Sequence, residues 1–332
     1  MKVAFYTLGC RVNQYESEAM AEKFIREGYE VVDFSEKADA YVINTCTVTK
    51  MSDRKSRQII SRARRLNSES VIAVVGCYSQ IAPKEVQKID GVDVILGTRN
   101  KGDVVYYVNK ARNEKKPQFH VDTVLKNKVF EDLNIEEYQD KTRAFLKIQD
   151  GCNRFCTYCI IPYSRGSVCS KDPNKIIEEI KKLAKHGFKE IILSGIHTAS
   201  YGLDLEENIT LVDLLEEIEK LDGIERIRIG SIEPAFFTPE VVERIKVMKK
   251  LCPHFHLSLQ SGCNSTLKRM NRRYTSEEYE EIVNVLRENI NDVSISTDVI
   301  VGFPGETEDE FNETYEFLKR IKLTKTHVFK YS

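Results

Sequence analysis

Short apolar runs alternate with amphipathic segments along the first third of the chain. The apolar runs predict β-strands at Val3–Leu8, Tyr29–Phe34, Ala40–Asn44, Val71–Val75 and Val92–Leu96. Apolar residues spaced three and four positions apart predict helices at Tyr15–Glu27, Thr49–Leu66, Pro83–Ile89 and Lys101–Ala111. Because strands that alternate with helices are typical of a parallel sheet, we predict an α/β, doubly wound parallel-sheet domain here.

The alternation resumes at Arg143 with a longer repeat. Strands are predicted at Arg143–Gln149, Lys189–Ser194, Ile224–Gly230, His254–Gln260, Val293–Val301 and Thr326–Tyr331. Helices are predicted at Pro173–His186, Leu211–Leu221, Pro239–Met248, Ser276–Asn289 and Glu308–Ile321, with capping boxes at Thr275 and Thr307. Six such units predict a partial (βα)6 barrel whose active site lies at the carboxyl ends of its strands.

The pattern breaks between Asn113 and Lys141, where the chain loses its period and gains charge. The charged residues there are Lys126, Lys128, Glu131, Asp132, Glu136 and Glu137. We place the connection between the domains in this segment and predict domains at residues 1–130 and 131–332. Gln118–Val121 is expected to form a short strand within it.

The amino-acid composition is consistent with the α/β fold predicted from the apolar pattern. The 332-residue chain is 41% apolar and 30% charged with a formal net charge of −1, so any nucleic-acid partner must bind a local patch of positive charge. Met1–Cys10 lacks the features of a signal peptide, and no later apolar run is long enough to span a bilayer. A cytoplasmic protein without a membrane partner is therefore predicted.

Nine cysteines are the most informative feature of the composition. In a reducing compartment they are expected to be metal ligands, reactive thiols or buried residues rather than disulfides. Cys152, Cys156 and Cys159 form a C-x3-C-x2-C array directly after the strand predicted from Arg143. Three thiolates can hold a [4Fe–4S] cluster and leave one iron free for another ligand.

A second set of cysteines follows three predicted strands of the first domain. Cys10, Cys46 and Cys77 each come directly after a strand, and in an open α/β sheet the ligand site lies beyond the carboxyl ends of the strands. They are expected to converge into a second metal site, although buried, inert thiols are the alternative. Polar or glycine-rich strand ends in the second domain, at Ser194-Gly195, Gly230–Pro234, Gln260–Gly262 and Gly302–Glu306, are expected to surround the ligand of the free iron.

These features resemble a known family. The Cys152, Cys156 and Cys159 array matches the cluster motif of radical S-adenosylmethionine (radical SAM) enzymes, and the domain with Cys10, Cys46 and Cys77 resembles the methylthiotransferases. The segment Tyr6–Ser17, together with Ser258–Cys263 and Asp298–Glu306, is similar to the branch that modifies threonylcarbamoyladenosine next to the anticodon of tRNA. The resemblance covers nearly the whole chain.

The resemblance implies two [4Fe–4S] clusters and S-adenosylmethionine as cofactors. The loop cluster would bind S-adenosylmethionine at its open iron and generate a radical that removes hydrogen from C2 of the adenine, while the cluster on Cys10, Cys46 and Cys77 would supply the sulfur. By the family pattern the contacts to S-adenosylmethionine and the nucleoside would come from Tyr158, Gly195, Glu233, Gln260, Gly302 and Phe303. Glu233 and Gln260 could instead satisfy backbone groups at the rim of the barrel.

The resemblance also implies tRNA, through its anticodon stem-loop, and an electron donor such as flavodoxin or ferredoxin as partners. Seven cations lie in one predicted helix after Cys46, against the single acid Asp53: Lys50, Arg54, Lys55, Arg57, Arg62, Arg64 and Arg65. Such a patch suits an RNA backbone, although charge runs are often only solvated faces. Asn13, Arg54, Lys55 and Arg57 are the predicted substrate-binding residues, and Lys268, Arg269, Arg272 and Arg273 form a second, weaker candidate patch.

Members of the family usually continue into a small β-rich RNA-binding domain, and this sequence ends before it, at Ser332. Two related alternatives remain open: a methylthiotransferase acting on isopentenyladenosine of tRNA, or on an aspartate of a ribosomal protein. An alternative of another class is a structural zinc site closed by Cys169 in a protein without catalysis. Cys169, Cys252 and Cys263 match no ligand position of the family and are expected to be structural.

Overall fold

The structure is a computed structural model of the chain, and it describes residues 1–125, 129–133, 135, 143–206 and 209–332. The linker charges Lys126, Lys128, Glu136 and Glu137 lie outside the described residues. The chain divides into two compact units. The first contains the described residues of Met1–Asp140, Asp150–Asn153 and Ile160–Lys171, and the second contains those of Lys141–Gln149, Arg154–Cys159 and Asp172–Ser332.

The first unit begins with a parallel sheet. Its elements are β1 Lys2–Thr7, α1 Arg11–Arg26, β2 Glu30–Val32, β3 Ala40–Thr45, α2 Lys50–Leu66, β4 Val71–Gly76, α3 Cys77–Ile81, α4 Pro83–Gln87, β5 Val94–Leu96, α5 Val104–Glu114 and β6 Gln118–His120. The strand order is β2-β1-β3-β4-β5-β6, and every pairing is parallel. This is the predicted doubly wound sheet, and β6 is the short strand predicted in the connecting segment.

Burial explains why this sheet forms. Every residue of β3 and β4 is buried, as expected for central strands that are covered by helices on both faces. One core cluster contains Val3, Phe24 and Val104 and another contains Tyr41, Ile60 and Val74. Helix α1 begins four residues earlier than predicted, because buried Val12 continues the apolar stripe of Tyr15 and Ala19 toward the helix start.

From Arg143 onward the chain forms β7 Arg143–Lys147, β8 Gln149–Asp150, α6 Ile161–Arg165, β9 Cys169–Ser170, α7 Pro173–Lys185, β10 Glu190–Ser194, α8 Leu211–Glu219, β11 Arg226–Ile229, β12 Ser231–Ile232, α9 Pro239–Ile245, β13 His254–Leu257, α10 Asn264–Arg269, α11 Ser276–Asn289, β14 Ser294–Val301, α12 Glu308–Ile321 and β15 Lys325–Lys330. In the second unit, β11-β10-β7 and β12-β13-β14-β15 are parallel sheets. Only Gly230 separates β11 from β12, so one chain segment joins both sheets. The predicted α/β class with six strands in chain order is confirmed.

Local capping sets the helix starts of the second unit. The capping boxes predicted at Thr275 and Thr307 are present, and the side chain of Asp172 caps α7 by accepting from the Lys175 amide. A third box, in which Thr210 pairs with Asp213, was not predicted because its acid is aspartate rather than glutamate. β13 ends at Leu257 rather than at the predicted Gln260, and Gln260 itself has a left-handed φ of 74° that is incompatible with a regular strand.

Candidate functional site

Three cysteines lie beyond the carboxyl ends of neighbouring strands in the first unit. Cys10 follows β1, Cys46 follows β3, and Cys77 begins α3 directly after β4. β1, β3 and β4 are adjacent and parallel, and the strand order reverses at β1 because β2 lies on its other side. The cysteines are therefore at the topological switch point, where open α/β sheets bind their ligands.

The loop that carries Cys10 packs closely against Cys46. Gly9 has a φ of 97°, and a Cβ atom at Gly9 would lie 2.7 Å from Cβ and 2.8 Å from Sγ of Cys46. A side chain would therefore displace the thiol, so this position requires glycine. Cys46 and Cys77 are buried, with 4% and 3% exposure, whereas Cys10 is exposed.

The pKa of Cys46 is raised to about 11. Burial is the largest cause and the charges of Cys77 and Cys10 add to it, while the Val48 amide and Arg165 act in the opposite direction. Three thiolates at one edge of a sheet suit a [4Fe–4S] cluster, in which each thiolate binds a different iron.

A buried network of charges lies in the same unit. Arg165 is fully buried, and its Nη1 donates to Glu16 Oε1 at 2.9 Å and to Asp150 Oδ1 at 3.1 Å, while Nη2 donates to Asn13 Oδ1 at 2.5 Å. Lys101 forms a further buried ion pair with Glu16. Burial opposes the charge of Arg165, but Asp150, Glu16, Cys77 and Cys10 outweigh it and raise its pKa. Arg165 therefore positions Asn13, Glu16 and Asp150, and no pattern in the sequence indicated this role.

Asn13, predicted to bind substrate, is 1% exposed. Its Nδ2 donates to the carbonyls of Leu8 at 2.7 Å and Thr45 at 3.0 Å, and its Oδ1 accepts from Arg165. With both side-chain polar atoms occupied inside the protein, these contacts fit the positioning of the Cys10 and Cys46 loops better than a substrate contact.

The loop with the other three cysteines is held by backbone and side-chain contacts. In the first unit, the Cys152 amide donates to the Gly166 carbonyl at 3.0 Å. In the second unit, the Cys159 amide donates to the Cys156 carbonyl at 2.9 Å and the Thr157 amide to the Met270 carbonyl at 3.2 Å. Asn271 donates through Nδ2 to the Phe155 carbonyl at 3.1 Å. The turn after α10 therefore clamps the loop at Phe155 and Thr157.

Arg272 was proposed from sequence as part of a weak cationic patch, and that interpretation is wrong for this residue. Its side chain is only 6% exposed, and its Nη1 lies 3.4 Å from Cys156 Sγ and 3.5 Å from the Tyr158 hydroxyl. Arg269 is committed to an ion pair with Glu310. Burial raises the pKa of Tyr158 despite the charge of Arg272, so its hydroxyl stays protonated.

Glu233 lies among three nitrogen-bearing side chains in the second unit. Its Oε2 is 2.8 Å from Arg154 Nη2 and 2.9 Å from His197 Nε2, and its Oε1 is 3.3 Å from Arg272 Nη2. Burial pushes its pKa upward, but the hydrogen bond and charge of His197 and the charges of Arg272 and Arg154 lower it to about 2. Glu233 is therefore an anion that orients Arg154 and Arg272, a role that was not among the sequence alternatives.

The other rim residues lie at strand ends, as their sequence positions indicated. Gly195 follows β10, and a Cβ atom there would lie 2.9 Å from Gln149 Oε1. Gly302 follows β14 with a φ of 72°, and its amide donates to Glu306 Oε2 at 2.6 Å. Phe303 is 7% exposed and packs edge-on against Tyr331. The Gln260 amide donates to the Asp298 carbonyl, and its own carbonyl accepts from Ile300.

Helix α2 carries the predicted cationic patch. Six of its cations are exposed and one, Arg64, is half-buried: the exposed residues are Lys50, Arg54, Lys55, Arg57, Arg62 and Arg65. Arg64 is committed to Asp93 at 3.0 Å, and Arg57 donates to the Tyr78 hydroxyl at 3.0 Å. Arg54 and Lys55 are the predicted substrate-binding cations on the exposed surface of this helix.

The remaining cysteines have other surroundings. Cys169 is fully buried, and Arg99 Nη1 lies 3.1 Å from its sulfur. Cys263 is also buried, and Cys252 is half-buried. No helix among the described residues combines the length and the apolar character needed to cross a bilayer.

Two family models match this chain. One described as the radical SAM superfamily matches residues 146–318, and one described as uncharacterized protein family UPF0004 matches residues 2–97. A radical SAM methyltransferase, TsrM from Kitasatospora setae, shares the fold with a TM-score of 0.69 at 14% identity, over 98% of this chain and 72% of its own. These matches define the class as radical SAM.

Proteins similar in sequence identify the family within the radical SAM class. The chain is 47% identical to "Threonylcarbamoyladenosine tRNA methylthiotransferase MtaB" of Bacillus subtilis over 99% of this chain and 73% of the relative, and 47% identical to the protein of the same name from Aquifex aeolicus over 100% and 80%. A "tRNA-2-methylthio-N(6)-dimethylallyladenosine synthase" of Clostridium tetani is 39% identical over 98% and 73%. The chain belongs to the radical SAM methylthiotransferase family. Membership confirms the predicted cofactors, which are S-adenosylmethionine and [4Fe–4S] clusters.

Proposed function

We propose that this chain is a radical SAM methylthiotransferase that inserts a methylthio group at C2 of N6-threonylcarbamoyladenosine next to the anticodon of tRNA. The observation that carries the proposal is the position of Cys10, Cys46 and Cys77 after three adjacent parallel strands, at the switch point of the sheet. The choice of substrate rests on the 47% identity to two threonylcarbamoyladenosine methylthiotransferases, against 39% to a dimethylallyladenosine synthase.

Each cysteine set would hold one cluster. Cys10, Cys46 and Cys77 would bind the auxiliary cluster, and Cys152, Cys156 and Cys159 the cluster that binds S-adenosylmethionine. When bound, these groups supply the radical that activates C2 of the adenine and the sulfur that is inserted there. The protein's own contribution is to hold the cysteine ligands in place. Gly9 leaves room for the Cys46 thiol, and Arg272 donates toward the Cys156 sulfur. Arg165 links Asn13 and Glu16 to Asp150 through its hydrogen bonds.

The rim residues of the second unit would contact S-adenosylmethionine and the nucleoside. Tyr158 would lie against the adenine of S-adenosylmethionine and Gly195 near its methionyl end, while Gln260, Gly302 and Phe303 would follow the nucleoside. Glu233 would act mainly through its ion pairs, because its two oxygens already face Arg154, His197 and Arg272. Preorganised cations of this kind orient an anionic group without further reorganisation.

The tRNA would be bound by exposed cations of α2, with Arg54 and Lys55 as contacts to the phosphate backbone and Arg57 supporting them through Tyr78. A flavodoxin or ferredoxin would supply electrons, because radical formation from S-adenosylmethionine consumes one. Action on tRNA and the use of reduced cysteines favour a cytoplasmic location. The domain boundaries proposed from sequence are residues 1–130 and 131–332.

Mass spectrometry of tRNA tests this function. The chain is expressed in a bacterial strain that lacks its own threonylcarbamoyladenosine methylthiotransferase, and the tRNA is digested to nucleosides. We expect the methylthio form of threonylcarbamoyladenosine to appear with the wild-type chain and with Cys252→Ala, and to be absent with Cys46→Ala. Methylthiolation of isopentenyladenosine alone would transfer the assignment to the other branch, and an unchanged nucleoside profile would contradict the proposal.

A further inference from the structure

One face of the second unit's four-stranded sheet carries a group of metal-ligating side chains that includes no cysteine. His256 is on β13, Asp298 on β14 and His327 on β15, and one ligand atom from each lies within 4.8 Å of the other two. Asp298 is directly opposite His327 in the strand register. Phe255, Leu257 and Val299 alternate with these residues on the opposite, buried face. The fold therefore directs all three ligating side chains to the same side of the sheet.

His256 and Asp298 are close without a hydrogen bond between them. His256 Nε2 lies 3.2 Å from Asp298 Oδ2. Nevertheless, this buried nitrogen has no hydrogen-bond partner among the residues that the structure describes. Two atoms that bind one metal ion at about 2.1 Å lie about 3.0 Å apart in octahedral geometry and about 3.4 Å apart in tetrahedral geometry. The separation of Nε2 and Oδ2 falls between these values, and with no hydrogen bond to Nε2 the pair fits two ligands of a shared ion.

The other side of the His256 ring is already fixed. Its Nδ1 lies 3.0 Å from Ser296 Oγ, and the same hydroxyl is 3.3 Å from His254 Nε2. Ser296 is buried with 4% exposure. A hydrogen bond to the far nitrogen is how metal-binding histidines are commonly oriented, since it fixes the tautomer and directs the free nitrogen at the ion. Here it directs Nε2 toward Asp298.

We propose that His256, Asp298 and His327 bind a divalent transition-metal ion of the Zn²⁺ or Fe²⁺ type. Two imidazoles and one carboxylate are a ligand set that these ions prefer, and they are harder ligands than the thiolates of the two cysteine sets. Three protein ligands leave a coordination position open for water or for an oxygen of a bound molecule. This proposal does not depend on the proposed function.

Metal binding to the protein with both clusters in place tests the site. The holoenzyme is dialysed anaerobically against a series of Zn²⁺ concentrations, and zinc and iron are measured in the same samples. Unchanged iron content shows that the cysteines remain occupied by their clusters. We expect one Zn²⁺ per chain at saturation.

Four variants identify the ligands. His256→Ala and His327→Ala should each weaken Zn²⁺ binding by more than about 100-fold, and Ser296→Ala by about 10- to 100-fold, as for loss of an outer hydrogen bond to a ligand. His186→Ala, in the exposed histidine after α7, should bind like wild type. Should His256→Ala fail to fold, His327→Ala on β15, where Val328 and Phe329 are exposed, decides the question. Absence of Zn²⁺ binding, or binding unchanged in both histidine variants, would overturn the proposal.

Discussion

The two cysteine sets are built in contrasting ways. Cys10, Cys46 and Cys77 come from three separate strand ends, and two of them are buried in a unit whose central strands are covered on both faces. Cys152, Cys156 and Cys159 lie within eight residues of one loop, and all three are half-buried. The first set depends on the register of a whole sheet. The second depends on local turns and on a few side chains that clamp the loop.

The contrast predicts where each site is vulnerable. Residues far from Cys10, Cys46 and Cys77 in sequence can weaken that site, since they stabilise the sheet and the buried charges beside it. The loop set should instead respond to residues that touch the loop directly, such as Asn271 and Arg272. Four experiments test this difference between the two sites, and they follow from the largest expected effect to the smallest.

Arg165→Met should have the largest effect, because it leaves Glu16 and Asp150 with less compensation for their buried charges. Removing one partner of a buried ion pair costs about 3–5 kcal/mol. Urea unfolding followed by circular dichroism measures the loss. Lys2→Gln breaks an exposed pair with Glu36 in the same unit and should cost less than about 1 kcal/mol. Equal losses in the two variants would show that the buried network stabilises the first unit no more than an exposed ion pair does.

Glu233→Gln should destabilise the second unit by about 3 kcal/mol at neutral pH, because its pKa falls from 4.5 to about 2 on folding. The lowered pKa means that this stabilisation is fully present above about pH 4.5 and is lost as the pH falls through about 2. Unfolding free energies of wild type and variant, measured across that range, give the difference. Glu225→Gln, in an exposed pair with Lys189, is the matched control. A difference that does not change with pH would contradict the assignment of Glu233 as an anion.

Thiol alkylation should distinguish buried Cys46 from exposed Cys10 by their rates of reaction. The pKa of about 11 for Cys46, against 9.0 for an ordinary thiol, makes its thiolate about 100-fold rarer near pH 8. In cluster-free protein we expect iodoacetamide to modify exposed Cys10 early and Cys46 at least about 100-fold more slowly than an ordinary thiol. Peptide mass spectrometry follows both sites. Similar rates at Cys10 and Cys46 would show that burial does not protect the second thiol.

Arg54→Gln/Lys55→Gln should have the smallest effect, because it removes two exposed charges without disturbing packing. If both side chains contact phosphates, the slope of log affinity for tRNA against log salt should decrease in magnitude by about 1.4–1.8. Filter binding at several salt concentrations measures the slope. Lys181→Gln/Lys185→Gln, on the exposed face of α7, should leave it unchanged. Equal slopes for the two double variants would show that Arg54 and Lys55 of α2 do not contact the phosphates of the tRNA.

Much of the framework could be predicted from the sequence. Alternation of apolar runs and amphipathic segments predicted the parallel sheets, and the position of Cys10, Cys46 and Cys77 after strands predicted their common edge. These inferences succeeded because side-chain period and strand direction are local properties. The start of α1 was misplaced since buried Val12 lies among polar residues that conceal the helical stripe.

The supporting residues could not be predicted in this way. Arg165 contacts Glu16 across 149 positions, and Arg272 approaches Cys156 across 116. No local spacing encodes such pairs. In the sequence, Arg272 is one of several neighbouring cations, and only its burial separates it from a solvated surface. Glu233 likewise acquires its role from three partners that lie in other parts of the chain.

The central claim is that each cysteine set holds its own [4Fe–4S] cluster. The most direct test is the iron content after anaerobic reconstitution of the wild-type chain and of Cys152→Ala/Cys156→Ala/Cys159→Ala. We expect about eight irons per wild-type chain and about four in the variant. The remaining four should be lost when Cys10, Cys46 and Cys77 are also replaced. Stoichiometric zinc without iron, or a triple variant that keeps all of its iron, would contradict the account.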